Sequence, residues 1–273
     1  MDLIELLKVI FLGIVEGITE WLPISSTGHM LLVDEFISLN ISDAFKEMFF
    51  VVIQLGAILA VIVLFWKKLF PFPMKGKLTV KKDVVSMWLK VITACIPTGI
   101  LGLLFDDLLE KYFGTPISIA VMLIVYGIAF IAVEHWNKNR SPRIKTVDDI
   151  GYQTALLFGF FQSLAMIPGT SRSGATIIGG LLIGVSRVAA AEFSFFLAIP
   201  TMLGASAFKL LKFGLNFTGT EIVTLLVGMA VAFVVSLLSI KLLMSYIQKH
   251  DFSVFGWYRI ILGIVVLVFF IFF

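Results

Sequence analysis

One polar, glycine-rich segment occurs twice in this chain, each time within sequence apolar enough to lie in a membrane. The first copy, GIVEGITEWLPISSTGHM, covers residues 13–30, and the second, GFFQSLAMIPGTSRSGAT, covers residues 159–176. A shift of 146 residues aligns Gly13 with Gly159, Glu16 with Gln162, Ser25 with Ser171 and Gly28 with Gly174. Internal similarity at a fixed spacing indicates duplication. We therefore predict a duplicated membrane protein in which both copies contribute to one composite polar site.

Composition defines the medium in which this site lies. The chain is 59% hydrophobic and only 14% charged, and its mean hydropathy is +1.05. These values lie far outside the range of soluble domains and predict an integral membrane protein. The formal net charge of +3 is too small to indicate nucleic acid as a partner. The single Cys95 excludes an intramolecular disulfide and a cysteine-based metal site, and we expect it to serve in packing.

Six apolar stretches have near-spanning length, at about 48–66, 84–105, 116–134, 191–209, 220–243 and 255–273. The two signature segments are interrupted by proline, glycine, serine and charge, and such backbone survives at membrane depth only inside protein or beside a wet cavity. We predict that they form re-entrant helix–loop–helix hairpins, at about 3–37 and 150–186. The expected fold is all-α and polytopic, a single membrane domain over 1–273. Each half, about 1–140 and about 150–273, would hold one hairpin and three spans, which inverts the second half relative to the first.

Loop charge predicts the orientation. Basic residues cluster in two loops, namely Lys67, Lys68, Lys75, Lys77, Lys81 and Lys82 in one and Lys138, Arg140, Arg143 and Lys145 in the other. The intervening loops carry acidic residues. By the positive-inside rule the two basic loops are cytoplasmic and both termini face outward, although Lys209 and Lys212 then depart from the rule. The expected location is the plasma membrane.

The first signature begins with two carboxylates. Glu16 and Glu20 are four residues apart and share one face of a helix. Two carboxylates in an apolar setting need a cation, a shared proton or water. A hard divalent metal such as Mg²⁺ or Ca²⁺, completed by a bound phosphate, would meet this need. The alternative is that both line a hydrated vestibule.

Three hydroxyls and a histidine follow. Ser25, Ser26 and Thr27 precede Gly28, and such a turn can surround an oxyanion with side chains and backbone N–H groups. His29 can act as nucleophile, general acid or base, or orienting group. We favour Ser26 as the nucleophile with His29 as its base or acid. Attack by His29 itself and attack by a water molecule remain open.

The second signature supplies an arginine. Arg172 stands among Ser171, Ser173, Gly174 and Thr176, and an arginine within the membrane requires an anion. A diphosphate is a suitable partner, because guanidinium binds phosphate in a bidentate fork and stabilises charge in phosphoryl transfer. An internal ion pair with Glu16 or Glu20 is the alternative, and the two interpretations are compatible if that pair is the resting state.

The E-x-x-x-E helix, the PISSTGH loop and the PGTSRSGAT loop, in this order on a duplicated polytopic chain, resemble the bacterial undecaprenyl-pyrophosphate phosphatases of the bacitracin-resistance type. The resemblance covers essentially the whole chain. It implies hydrolysis of undecaprenyl pyrophosphate to undecaprenyl phosphate and inorganic phosphate, which recycles the lipid carrier of peptidoglycan synthesis. It also implies an outward-facing site with these roles: Glu16 and Glu20 for metal and catalysis, Ser25, Ser26, Thr27 and His29 at the reacting phosphate, and Ser171, Arg172, Ser173 and Thr176 in phosphate binding.

Other functions remain to be distinguished. Inverted repeats with re-entrant loops also occur in transporters, so a transporter or flippase for a lipid phosphate or small anion is the main alternative. A lipid phosphatase of the phosphatidic-acid-phosphatase type would carry a histidine six residues after the arginine, where this chain has Ile178. The sequence leaves open which metal is used, whether the chain forms a homodimer, and which prenyl length it prefers.

Overall fold

The computed structural model describes residues 2–72, 80–214 and 216–272. Lys75 and Lys77 of the first basic loop lie outside this part. The described chain is helical without a β-strand, with two short 3₁₀ helices at Val147–Asp149 and Leu164–Met166. The α-helices are α1 Leu3–Thr19, α2 Ser26–Phe36, α3 Asp43–Val52, α4 Gln54–Leu64, α5 Trp66–Leu69, α6 Lys82–Phe113, α7 Pro116–Asn137, α8 Tyr152–Ser163, α9 Arg172–Ile183, α10 Arg187–Phe213, α11 Gly219–Ile247 and α12 Ser253–Phe272.

Six helical stretches of the described residues are long and apolar enough to cross a membrane, which confirms the six predicted spans. They are Asp43–Leu64, Lys82–Phe105, Pro116–Asn137, Arg187–Phe213, Gly219–Ile247 and Ser253–Phe272. The first span begins earlier than predicted because Ser42 caps α3 by accepting from the N–H of Phe45. The first turn of α3 is polar, so a hydropathy profile does not assign it to the span. The protein is thus an all-α, multi-pass membrane protein.

The two signature segments form two helical hairpins, α1 with α2 and α8 with α9. All four helices are shorter than the spans. Each hairpin packs against the opposite half of the chain: α1 lies along α11, and α8 lies along α6. The third spans of the two halves, α7 and α12, pack against each other. Such reciprocal contacts are what a two-fold related duplication predicts, while the inverted orientation of the halves in the membrane stays a prediction.

Glycines permit these close crossings. A Cβ atom at Gly159 of α8 would lie 2.2 Å from the carbonyl oxygen of Ala94 in α6. A Cβ atom at the matching Gly13 of α1 would lie 2.9 Å from Cβ of Val231 in α11. Small residues at helix crossings are the usual device for close packing in membranes. The glycines shared by the two signatures therefore seat each hairpin against its neighbouring span.

Candidate active site

The turn of each hairpin ends at a serine with the same unusual backbone. Ser25 and Ser171 both have φ of 73°, in the left-handed region that non-glycine residues rarely occupy. Each serine is the N-cap of the following helix: Oγ of Ser25 accepts from the N–H of Gly28 at 3.3 Å, and Oγ of Ser171 accepts from the N–H of Gly174 at 3.2 Å. The N-termini of α2 and α9, which carry the positive ends of the helix dipoles, thus lie at the two signature turns.

The two turns meet at Glu20. Nη2 of Arg172 donates to Oε1 of Glu20 at 3.0 Å, and both side chains are largely buried. Oγ of Ser26 donates to Oε2 of Glu20 at 2.8 Å, and Oγ of Ser173 donates to the Glu20 carbonyl at 3.3 Å. The prediction that the two distant signatures converge is confirmed. The internal ion pair of Arg172 with a carboxylate, which was the alternative to a bound diphosphate, is also present, and Glu20 is the carboxylate.

A cavity of about 220 Å³ opens beside this contact. Five predicted site residues line it, namely Glu20, Ser26, Thr27, Ser171 and Arg172. Further polar lining comes from the spans and from α8, through Gln54, Thr98, Gln162 and Thr201. The cavity is therefore bordered by both signatures and by an amide and hydroxyl wall that can hydrogen-bond an oxyanion in several directions.

Two charged side chains at this site have unused hydrogen-bonding atoms. Oε1 of Glu16 and Nε of Arg172 are buried and have no hydrogen-bond partner among the described residues. Arg172 uses its other nitrogens, since Nη1 donates to the Ser194 carbonyl at 2.7 Å and Nη2 donates to Glu20. Buried polar atoms are nearly always satisfied. Arg172 borders the cavity, so its Nε can donate to a ligand there, whereas Glu16 is buried and does not line the cavity.

The ring of His29 lies between the Ser25 carbonyl and Tyr258 of α12. Its Nδ1 lies 2.8 Å from the carbonyl oxygen of Ser25, and its Nε2 lies 2.7 Å from the hydroxyl of Tyr258 in α12. Because a carbonyl only accepts, Nδ1 carries the proton and Nε2 of a neutral ring accepts from Tyr258. His29 is absent from the lining of the cavity that Arg172 borders. The expectation that His29 and Arg172 face one cavity is not met here, because the ring is turned to Tyr258.

Three other predicted residues make internal contacts. Ser25 caps α2, and Ser173 joins the two turns through Glu20. The hydroxyl of Thr176 donates to the Arg172 carbonyl at 2.8 Å and lies 2.7 Å from Oγ of Ser194. None of the three lines the cavity. In this arrangement they hold the turns and the start of α9 in place.

Arg259 was missed by sequence reasoning. It is fully buried in α12 and donates to the carbonyls of Pro23 at 3.2 Å, Gly169 at 2.9 Å and Thr170 at 2.9 Å. One guanidinium thereby ties both signature turns together. The available signal was that Arg259 is the only charged residue of an otherwise apolar span, since an arginine in that position is costly without partners.

Fold and site together define a class: a multi-pass α-helical membrane protein whose two similar hairpins build one polar site of arginine, carboxylate and hydroxyl groups. The chain belongs to the Bacitracin resistance protein BacA family, whose model matches residues 9–265.

Curated relatives match over nearly their whole length. The chain is 70% identical to an undecaprenyl-diphosphatase of Enterococcus faecalis, over 98% of this chain and 98% of the relative. It is 63% identical to an undecaprenyl-diphosphatase of Desulfitobacterium hafniense, over 99% and 98% of the two chains. It is 61% identical to undecaprenyl-diphosphatase 1 of Clostridium acetobutylicum, over 99% of both.

Proposed function

We propose that this protein hydrolyses undecaprenyl pyrophosphate to undecaprenyl phosphate and inorganic phosphate, and so recycles the lipid carrier of peptidoglycan synthesis. The observation that carries the proposal is the contact of Arg172 with Glu20 at the cavity, which unites the two signatures in one site. The names of the relatives support the reaction and the substrate. Membership of the bacitracin-resistance family agrees with this role.

Arg172 is the proposed anchor of the diphosphate. Its Nε has no partner, and a phosphate that also displaces Glu20 from Nη2 gains a bidentate contact. Ser171 and Thr27 line the same cavity and can donate hydroxyl hydrogens to phosphate oxygens. Substrate binding thereby frees Glu20 from its ion pair and leaves it as an acceptor for Ser26.

Ser26 is the proposed nucleophile. Its 2.8 Å hydrogen bond to Glu20 favours Glu20 as the base in place of His29, whose ring contacts Ser25 and Tyr258 instead. The Ser26 proton moves to Glu20 while Oγ bonds to the terminal phosphorus. The bond from this phosphorus to the bridging oxygen breaks, and undecaprenyl phosphate leaves with the electron pair. Water then bonds to the phosphorus of the phosphoserine, the bond from phosphorus to Oγ breaks, Oγ takes back the proton held by Glu20, and inorganic phosphate leaves with the hydrogens of the water. Nε2 of His29 is the rival nucleophile, since its lone pair is free once Tyr258 moves.

Trapping the phosphoenzyme decides between these groups. We expect a phosphoprotein that is stable in acid and labile in base, as for a serine ester, and that Ser26→Ala abolishes. An acid-labile phosphoprotein that survives in Ser26→Ala would instead assign the attack to His29. If neither the wild type nor Ser26→Ala forms a phosphoprotein during turnover, direct attack by water replaces attack by Ser26 and attack by His29.

A divalent cation, Mg²⁺ or Ca²⁺, is the proposed cofactor, held by Glu16 and Glu20. The donor chemistry fits, because Oε1 of Glu16 is buried without a partner and Glu20 follows one turn later on the same face. No cluster of three or more His, Cys, Asp and Glu residues suited to a metal occurs in the described ranges. Mg²⁺ is commonly held by one or two carboxylates together with substrate phosphates, so the two carboxylates and the diphosphate form a suitable donor set. When bound, the ion would neutralise negative charge on the diphosphate.

The site is proposed to face the outer side of the plasma membrane, with lateral entry of substrate from the lipid because a long prenyl tail stays in the bilayer. The loop charges support this orientation. A cysteine at Lys138 should then react with an impermeant thiol reagent only after cells are permeabilised; labelling in intact cells would overturn the orientation. Both signatures belong to one chain, so the proposed reaction needs no second copy, and a homodimer stays a hypothesis.

Phosphate release by the purified protein tests the function. In detergent with undecaprenyl pyrophosphate we expect inorganic phosphate and undecaprenyl phosphate in equal amounts, loss of activity on chelation, and recovery with Mg²⁺ or Ca²⁺. A transporter would move the lipid in proteoliposomes without releasing phosphate. Activity unaffected by chelation would contradict the cation and leave Glu16 and Glu20 to proton transfer.

A further inference from the structure

A second and larger cavity, of about 640 Å³, lies at the other end of α9. It is formed by the ends of α7, α9 and α11, the loop after α7 and the start of α10, and we call it the basic cavity. Its lining shares no residue with the cavity at Arg172. The 12 residues of α9 separate the two, a distance of about 18 Å along the helix axis.

The charged lining of the basic cavity is three arginines and one carboxylate, namely Arg140, Arg143, Arg187 and Glu134. Glu134 is already satisfied, because it accepts from Nε of Arg187 at 2.8 Å, from Nη2 of Arg187 at 2.5 Å and from the N–H of Phe252 at 3.0 Å. No carboxylate of the described ranges forms an ion pair with Arg140 or Arg143. The cavity therefore presents two uncompensated positive charges.

The position of the basic cavity fits the level of lipid head groups. It lies where the span α7 ends, and the guanidinium carbon of Arg140 lies 3.7 Å from the ring centroid of Trp136, which is half exposed. Tryptophan at the end of a span is typical of the membrane–water interface. The rest of the lining has a polar part, with Asn137, Ser141, Ser186 and Gln248, and an apolar part, with Leu181, Val185, Val188 and Ile247. A ligand that carries both an anionic group and hydrocarbon matches this lining.

We propose that the basic cavity binds the phosphate head group of an anionic phospholipid, with Arg140 and Arg143 as its ligands and the acyl chains along the apolar wall. Basic cavities between spans are the usual form of such sites. Inorganic phosphate carries the same charged group without the hydrocarbon, and the experiment separates the two sources. This site is independent of the proposed phosphatase reaction.

The test is thermal unfolding of the purified full chain in neutral detergent, with and without added phosphatidylglycerol, phosphatidylcholine or inorganic phosphate. The variant Arg140→Gln/Arg143→Gln removes both uncompensated charges. The matched control is Lys138→Gln/Lys249→Gln, which removes two exposed cations that adjoin the cavity without lining it. Phosphate release in neutral detergent reports that each variant retains its fold.

We expect phosphatidylglycerol to raise Tm of the wild type and the control, and about tenfold more of it to be needed for the same rise in the arginine variant. Phosphatidylcholine should have little effect. The same arginine-dependent rise with inorganic phosphate alone would identify the phosphate group, not the lipid, as the ligand. An unchanged rise in the arginine variant, or an equal loss in the lysine control, would overturn the proposal.

Discussion

The two signature turns have the same backbone conformation but carry different side chains. Ser25 and Ser171 have the same φ and cap their helices on equivalent glycines. Under the same shift of 146 residues, however, Glu16 corresponds to Gln162, Glu20 to Met166, Ser26 to Arg172 and His29 to Ala175. The first turn holds the acceptors and the candidate nucleophiles, and the second holds the cation. The two turns thus provide the same scaffold for a helix N-terminus, and different side chains at a few matching positions make them chemically complementary.

The largest expected effect comes from the side chain unique to the second turn. Arg172→Ala should melt below the wild type, because it leaves Glu20 without its ion-pair partner, and the protein that remains folded should lose phosphate release by roughly 10³-fold or more, because the guanidinium offsets the diphosphate charge. Arg172→Lys should recover little, since an ammonium lacks the planar fork. Lys138→Ala, which removes an exposed cation, is the control. Near-normal turnover of both Arg172 variants would remove Arg172 from the site.

Glu16→Gln gives the first signature the residue that the second has at the matching position, Gln162, and so tests the difference between the two. Glu16→Gln should lower turnover about 10²-fold, within the range for a lost charged catalytic group, and the remaining activity should respond weakly to Mg²⁺. Glu35→Gln, an exposed change on α2, should retain the full metal response. A variant at Glu16 with the metal response of the wild type would show that this carboxylate holds no cation.

The shared scaffold should respond equally in both turns. Ser25→Ala and Ser171→Ala each remove an N-cap and should lower stability by about 1 kcal/mol. Glycine at either position also removes the cap but relieves the left-handed backbone, so Ser25→Gly and Ser171→Gly should melt near the wild type. Thermal unfolding of the four variants checks this. A loss of stability in the variants of only one serine would show that the two turns are not structurally equivalent.

The smallest expected effect concerns a contact that only the first turn makes. Tyr258→Phe removes the hydroxyl at Nε2 of His29 and leaves the parallel ring, which lies 5.6 Å away. Loss of one hydrogen bond should lower kcat roughly threefold, with a changed pH dependence of turnover. Tyr246→Phe, whose ring stacks on His250 and not on His29, serves as control. An identical pH profile in Tyr258→Phe would give Tyr258 no part in positioning His29.

The spans and the meeting of the turns were predictable, because the length of each apolar stretch and the repetition of the signature after 146 residues can both be read directly from the sequence. The hydrogen-bond partners were not. Tyr258 and Arg259 lie in the last helix, far along the chain from His29 and Pro23, and no periodicity connects them. Sequence reasoning also assigned Ser173 and Thr176 to substrate, whereas their hydroxyls face Glu20 and Ser194. A hydroxyl motif does not reveal which member points into a cavity.

The composite site is tested most directly by a double-mutant cycle on Tm with Glu20→Gln, Arg172→Gln and the double variant. Each single change leaves one charge of the buried pair without its partner, which is strongly destabilising, whereas the double change removes both charges of the pair. The ion pair between the two turns predicts that the double variant melts above both single variants. A double variant that melts lower than either single, by the sum of their separate losses, would contradict a site shared by the two turns.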